Sequence, residues 1–182
     1  ARSNVPPPDW SEVAPELPLR MGSLMGRVPP DPDAWSIDFW RTLWPNDPHL
    51  KSGPAPISAL VRLPEDGQVE LWTALPRGPQ SDGGVGLVME RIGEPSTRVV
   101  QLGRSGRTAL RCSEALPPPT EVATPVRIEP LRGGVNVEVG PVNVHCAVSL
   151  PQAGPAIQSG LRRVQLRDLE VGQVSVPPPG PH

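Results

Sequence analysis

The sequence contains no tyrosine, one phenylalanine (Phe39) and one lysine (Lys51) against 16 arginines. That bias, beside abundant Ala, Gly, Pro, Val and Leu, is the residue set GC-rich codons favour. The arginines are therefore read as composition and not as a recognition device. Positive charge is also lacking: the formal net charge is -2 and the pI about 5.9. This excludes a global field that would hold nucleic acid or an anionic membrane. No stretch approaches the roughly 18 consecutive apolar residues of a membrane span. The first residues lack the basic, apolar and small-residue sections of a signal peptide, so the chain reads as soluble. Hydrophobic residues make up 37% of the 182, below the roughly 45 to 50% of an average domain. The length suits one domain with arms and not two full-sized domains.

What the sequence has instead is proline and glycine, 28 and 18 residues, together about a quarter of the chain. Prolines at 6 to 8, 15, 18, 29, 30 and 32 leave no room for a regular element of useful length, so residues 1–33 read as an extended Pro-rich arm. The arm scatters Trp10, Val13, Leu17, Leu19 and Met21, groups that gain free energy by lying on a surface, their own domain's or a neighbour's. Residues 177–182 form a second, polyproline tail. Between Asp31-Pro32-Asp33 and Pro45 the punctuation is helical, which predicts a short helix over about 34–44. Its apolar face, with Trp35, Phe39, Trp40, Leu43 and Trp44, covers more than half the circumference and implies burial on two sides or a partner. A strand is the fallback, because period-two alternation is partly met.

From Ile57 onward the pattern is a succession of short strands. Ile57, Ala59, Val61 and Leu63 share one face, and Pro64-Glu65-Asp66-Gly67 predicts a hairpin turn with Gly supplying positive φ before Gln68 to Ala74 returns. Val85 to Ile92, Thr97 to Leu102 and Arg107 to Ser113 follow across hairpin-like connections. Pro125 to Leu131, Val135 to Val139 and Val142 to Leu150 come next, and Leu161 to Val171 is the last long strand. In the middle group the valines and Cys146 take one parity, and Asn136, Glu138, Asn143 and His145 the other, giving one dry and one wet face. The parity break between Val164/Leu166 and Leu169/Val171 predicts a bulge near Arg167-Asp168. About nine strands with no crossover helices indicate an all-β fold, an antiparallel jelly-roll-type β-sandwich over residues 34–176.

The succession Gln68-Val69-Glu70-Leu71-Trp72, Val85 to Arg91, Val126-Arg127-Ile128-Glu129 with Gly133 to Val139, and Gly160 to Val171 resembles the strands of concanavalin A-like (laminin G-like) jelly rolls. The resemblance covers about residues 55–176 and rests on alternation and turn placement. It implies a fold shared by lectins, adhesion modules, glycoside hydrolases and capsid or spike domains, and fixes fold more than function.

Candidate chemistry is sparse. Cys112 and Cys146 both take core parity, which leaves two buried thiols and one disulfide as open readings; a disulfide implies an oxidising compartment. His49, His145 and His182 are far apart and lack metal-ligand spacing, so no metal and no cofactor is expected. Asp168 and Glu170 have the alternate spacing of a glycosidase acid pair. They stand among Arg162, Arg163 and Arg167 and read as a solvated face. Glu70 reads as an ordinary exposed strand residue. No Ser/His/Asp or Cys/His arrangement, nucleophile elbow or phosphate loop is present, so an enzyme is not expected. Trp72 points outward or into a second layer; Trp35, Trp40, Trp44 and Trp72 are the candidate binding residues.

These observations support a non-catalytic structural or interaction module of a larger assembly. Its most concrete form is a viral capsid, protrusion or decoration protein with protein partners, in a homo-oligomer or shell, on a virion or extracellular surface. The alternative is a carbohydrate-binding, lectin-like module of the cell surface or secreted space, with a glycan partner. Neither reading calls for nucleic acid or membrane insertion.

Overall fold

A computed structural model describes residues 10–12, 34–37, 42–45, 53–76, 82–103, 106–160, 164–172 and 174–175. For residues 10–12, 34–37, 42–45, 165 and 174–175 it describes the backbone alone. Fourteen strands and one 3-10 turn occur among them. They are β1 (Trp10–Glu12), β2 (Ala34–Ile37), β3 (Thr42–Pro45), β4 (Ile57–Arg62), β5 (Gln68–Ala74), β6 (Val85–Glu90), β7 (Ser96–Gly103) and β8 (Gly106–Ala109). After the 3-10 turn (Arg111–Ala115) come β9 (Thr124–Leu131), β10 (Gly134–Val139), β11 (Val142–Ala147), β12 (Ala156–Ser159), β13 (Val164–Val171) and β14 (Val174–Ser175). One sheet, A, has the order β1-β3-β12-β5-β6-β7-β8; the other, B, has β11-β10-β9-β4-β13-β14, with β2 also on β13. Every pairing is antiparallel. The fold is an all-β, two-sheet sandwich.

Alternation explains how the sheets close. Ile57, Ala59 and Val61 of β4 and Val135, Val137 and Val139 of β10 face inward, where Val69, Leu71, Leu87 and Val99 of sheet A meet them in one continuous core. Each large side chain buried there is worth roughly 1.5 to 3 kcal/mol. The intervening Asn136 is half-buried, and Glu138, Asn143 and His145 are exposed. In β13, Val164, Leu166, Leu169 and Val171 are all buried because the register shifts between Arg167 and Glu170 and Asp168 takes φ 51°. The extra residue moves the apolar parity by one, so both halves of the strand reach the core.

Several expectations need correction. The predicted helix over 34–44 is two strands where described, β2 on β13 and β3 between β1 and β12. A wide apolar face fits a strand buried on both sides as well as a helix, and ladder pairing satisfies the backbone here. Trp40 and the rest of residues 38–41 lie outside the described residues, as do 177–182 and all of the arm except Trp10–Glu12. Five strands go beyond the expected nine: β1, β2, β3, β12 and β14. β4 and β5 are not a hairpin, since β4 belongs to sheet B and β5 to sheet A. Their connecting turn crosses between the layers, with Gly67 N–H donating to the Pro64 carbonyl at 2.9 Å. Positive φ falls on Asp66 (62°), not on Gly67. Glycine is needed at 67 for space: a Cβ there would lie 2.8 Å from Pro64 Cδ and 2.9 Å from its carbonyl oxygen. The strand expected over Arg107 to Ser113 ends at Ala109 and gives way to the 3-10 turn, where Ser113 Oγ donates to the Leu110 carbonyl at 2.6 Å.

Candidate functional site

Two outward faces carry the polar chemistry. On sheet A, Gln68, Glu70 and Trp72 project from β5 on the parity opposite to Val69 and Leu71. Glu70 is buried, and four donors converge on its carboxylate. Gln68 Nε2 donates to Oε2 at 2.9 Å and Trp72 Nε1 to Oε1 at 3.0 Å. Arg107 closes the site with both guanidinium prongs, Nη1 on Oε2 and Nη2 on Oε1, the latter at 2.8 Å. Arg107 comes from β8, so its side chain spans β7 and β6 and lies over the Trp72 indole, 5.5 Å from the ring centroid. Trp72 is fully buried with Val88, Val100, Ala156 and Leu75 in a second apolar cluster. Its ring crosses Gly86, where a Cβ would come within 2.5 Å of the indole. A carboxylate has about four acceptor positions, and here all are filled, so the cluster is a closed structural unit.

Sheet B presents an open face. Cross-strand register places Glu170, Ser58, Arg127 and Glu138 in one row across β13, β4, β9 and β10. With Leu60, Pro125 and Asp168 they line a groove of about 400 Å³. Glu138, Asp168 and Glu170 are exposed, while Ser58, Leu60 and Arg127 are half-buried. Arg127 Nε donates to Glu129 Oε2 at 3.2 Å, which holds the guanidinium along the sheet. The groove thus sets carboxylates and a guanidinium over a floor of Leu60 and Pro125.

The expected site residues fall as follows. Trp72 is buried beneath Arg107 and offers no exposed ring for stacking, a correction to its reading as a binding residue. Trp35 and Trp44 lie in β2 and β3, with side chains outside the described residues; Trp40 is outside entirely, as are His49 and His182. Cys112 and Cys146 form a disulfide, Cα to Cα 5.4 Å, joining the 3-10 turn to β11. His145 is exposed on the outer face of sheet B. Asp168, within the β13 bulge, and Glu170, just after it, both line the groove and are exposed to solvent. Glu170 and Glu138 are three strand spacings apart, roughly 14 Å between backbones, with Ser58 and Arg127 between them. Among the described residues no group of three or more His, Cys, Asp or Glu is arranged to hold a metal ion, and no helix is long and apolar enough to cross a membrane. Glu70 and Arg107 were not legible as a pair: 37 residues separate them, and only the register of sheet A brings them together.

A two-sheet antiparallel sandwich is the class this architecture defines. No family model and no curated protein matches the chain. Among solved structures it is similar to the carbohydrate-binding module CBM66 from Bacillus subtilis, with a TM-score of 0.54 and 8% sequence identity over 74% of this chain and 83% of that one. At that identity the likeness is one of fold.

Proposed function

We propose that the chain is a non-catalytic β-sandwich module that binds carbohydrate on the outer face of sheet B. The carrying observation is the registered row Glu170, Ser58, Arg127 and Glu138 over Leu60 and Pro125. Neighbouring sugar hydroxyls each donate and accept. A carboxylate beside a guanidinium meets such a pair, while an apolar floor takes the C–H face of the ring. A rigid sheet keeps these groups in place without ordering a loop on binding. The fold shared with a carbohydrate-binding module supports this reading over the assembly component. The assembly reading drew in part on an arm suited to draping over a neighbour, and Trp10–Glu12 of that arm pairs with the chain's own β3. The disulfide suits an oxidising, extracellular setting.

The test is a screen of neutral and charged oligosaccharides on a glycan array, followed by calorimetry on any ligand found. Arg127→Ala combined with Glu138→Ala should weaken binding by about 10-fold or more, as expected for losing two polar anchors, and leave the melting temperature nearly unchanged. An array without a ligand, or a ligand whose affinity ignores both substitutions, rejects the site.

A further inference from the structure

The edge of sheet A at β7 is half covered. β8 pairs with Val100 to Gly103, and the ladder closes with Leu110 N–H donating to the Val99 carbonyl at 2.8 Å. Extending that register, residue 112 would stand opposite Thr97. It does not, because the chain turns into the 3-10 segment at Arg111 and Cys112 is bonded to Cys146 on β11 of the other sheet. In an antiparallel strand, alternate residues direct both backbone groups to the same side. Thr97 therefore shares the side of Val99, and its N–H and C=O face the place β8 has left. Thr97 has no ladder partner there among the described residues. A groove of about 330 Å³ occupies this place, lined by Pro95 to Arg98, by Leu110 and Ser113, and by Leu116 and Pro118. One side-chain group at the groove adds to the unmet backbone. Thr97 is 5% exposed, and its Oγ1 is buried with no hydrogen-bond partner among the described residues.

We propose that this groove takes an extended peptide segment, which adds as a short strand to the free edge of β7 in line with β8. Main-chain N–H and C=O groups on one side of an extended peptide match those of Thr97, the match by which sheet edges capture strands. Thr97 Oγ1 supplies a further hydrogen bond, and Leu110, Leu116 and Pro118 form an apolar wall for one peptide side chain. Arg111 and Glu114, both exposed, stand at the rim. The disulfide belongs to the site, since it holds residue 112 away from the edge.

Amide hydrogen exchange followed by NMR on the full oxidised chain tests this directly. In the free protein the Thr97 amide should exchange at least about 100-fold faster than that of Val88 in central β6, as an unpaired edge group must. The probe is acetyl-Val-Thr-Val-Thr-Val-amide at millimolar concentration. It should slow Thr97 exchange about 10-fold or more, consistent with a new main-chain hydrogen bond. The same peptide N-methylated at alternate residues should not. Thr97→Pro removes the edge-facing N–H together with Oγ1, a change of backbone that edge strands tolerate, and should abolish peptide-induced shifts at Leu110 and Glu114. A Thr97 amide already as protected as Val88 overturns the proposal. So does equal action of both peptides, or an equal effect from a methyl glycoside at the same concentration.

Discussion

Glu70 shows how a single residue's role depends on its neighbours. In sequence it alternates with Val69 and Leu71 and reads as one more exposed strand position, yet it is 1% exposed with four donors on its carboxylate. The local signal lay in Gln68, Glu70 and Trp72 at period two, three polar-headed side chains on one face. What completes the cluster is Arg107, which no spacing rule could point to. Removing one partner of a buried pair is costly because the other charge stays uncompensated, typically by about 3 to 5 kcal/mol. Arg107 is one-third exposed, so water recovers part of that loss. Arg107→Ala should therefore destabilise by about 2 to 3 kcal/mol, read as a lowered urea midpoint with an unchanged slope. Gly86→Ala addresses the same cluster from below: the added methyl meets the Trp72 ring, and overpacking of this kind costs roughly 1 to 3 kcal/mol. An unaltered midpoint in both variants would show that the outer cluster adds nothing to stability.

Elements were legible where alternation ran long enough. β9, β10 and β11 carry valines on one parity and polar groups on the other, and the bulge in β13 was marked by its parity break. β12 escaped because Ala156–Ser159 is four residues between Pro155 and Gly160, too short to show a period, although it sits centrally between β3 and β5. β2 and β3 escaped because aromatic residues on nearly every side satisfy helix and strand periods alike. The 3-10 turn depends on a contact distant in sequence, since Cys112 reaches Cys146 across a separation of 34 residues. Parity placed both cysteines toward the core but left both thiols and bridge open. Closing a loop of that length is worth roughly 3.5 to 4 kcal/mol in the chain-entropy account. Reduction, or Cys112→Ser with Cys146→Ser, should lower unfolding free energy by about that amount. Denaturant melts of the oxidised and reduced chain decide it; a difference under about 1 kcal/mol would mean that the turn is held by Leu116 and its neighbours and not by the bridge.

At the scale of the molecule, the sheets are assembled from both ends of the chain. The sequential strands β5 to β8 form one run and β9 to β11 another, but each sheet is completed by segments far apart: β12, itself paired with β3, lies beside β5, and β13, itself paired with β2, lies beside β4. This was the least legible level, because adjacency of distant strands leaves no mark in local periodicity. It also makes a firm prediction. Residues 1–52 contribute β1, β2 and β3, so a chain starting at residue 53 would leave β12 as an edge strand with its pairing to Leu43 and Thr42 lost. The half of β13 over Val164 to Arg167 would lose β2 as well. Unpaired, largely apolar edges pair with other copies. The shortened chain should therefore melt at lower temperature and gain mass in light scattering, while the full chain keeps a defined mass. If the shortened chain instead stays monomeric with an unchanged melt, β2 and β3 are appendages, and the two sheets are complete from β4 onward.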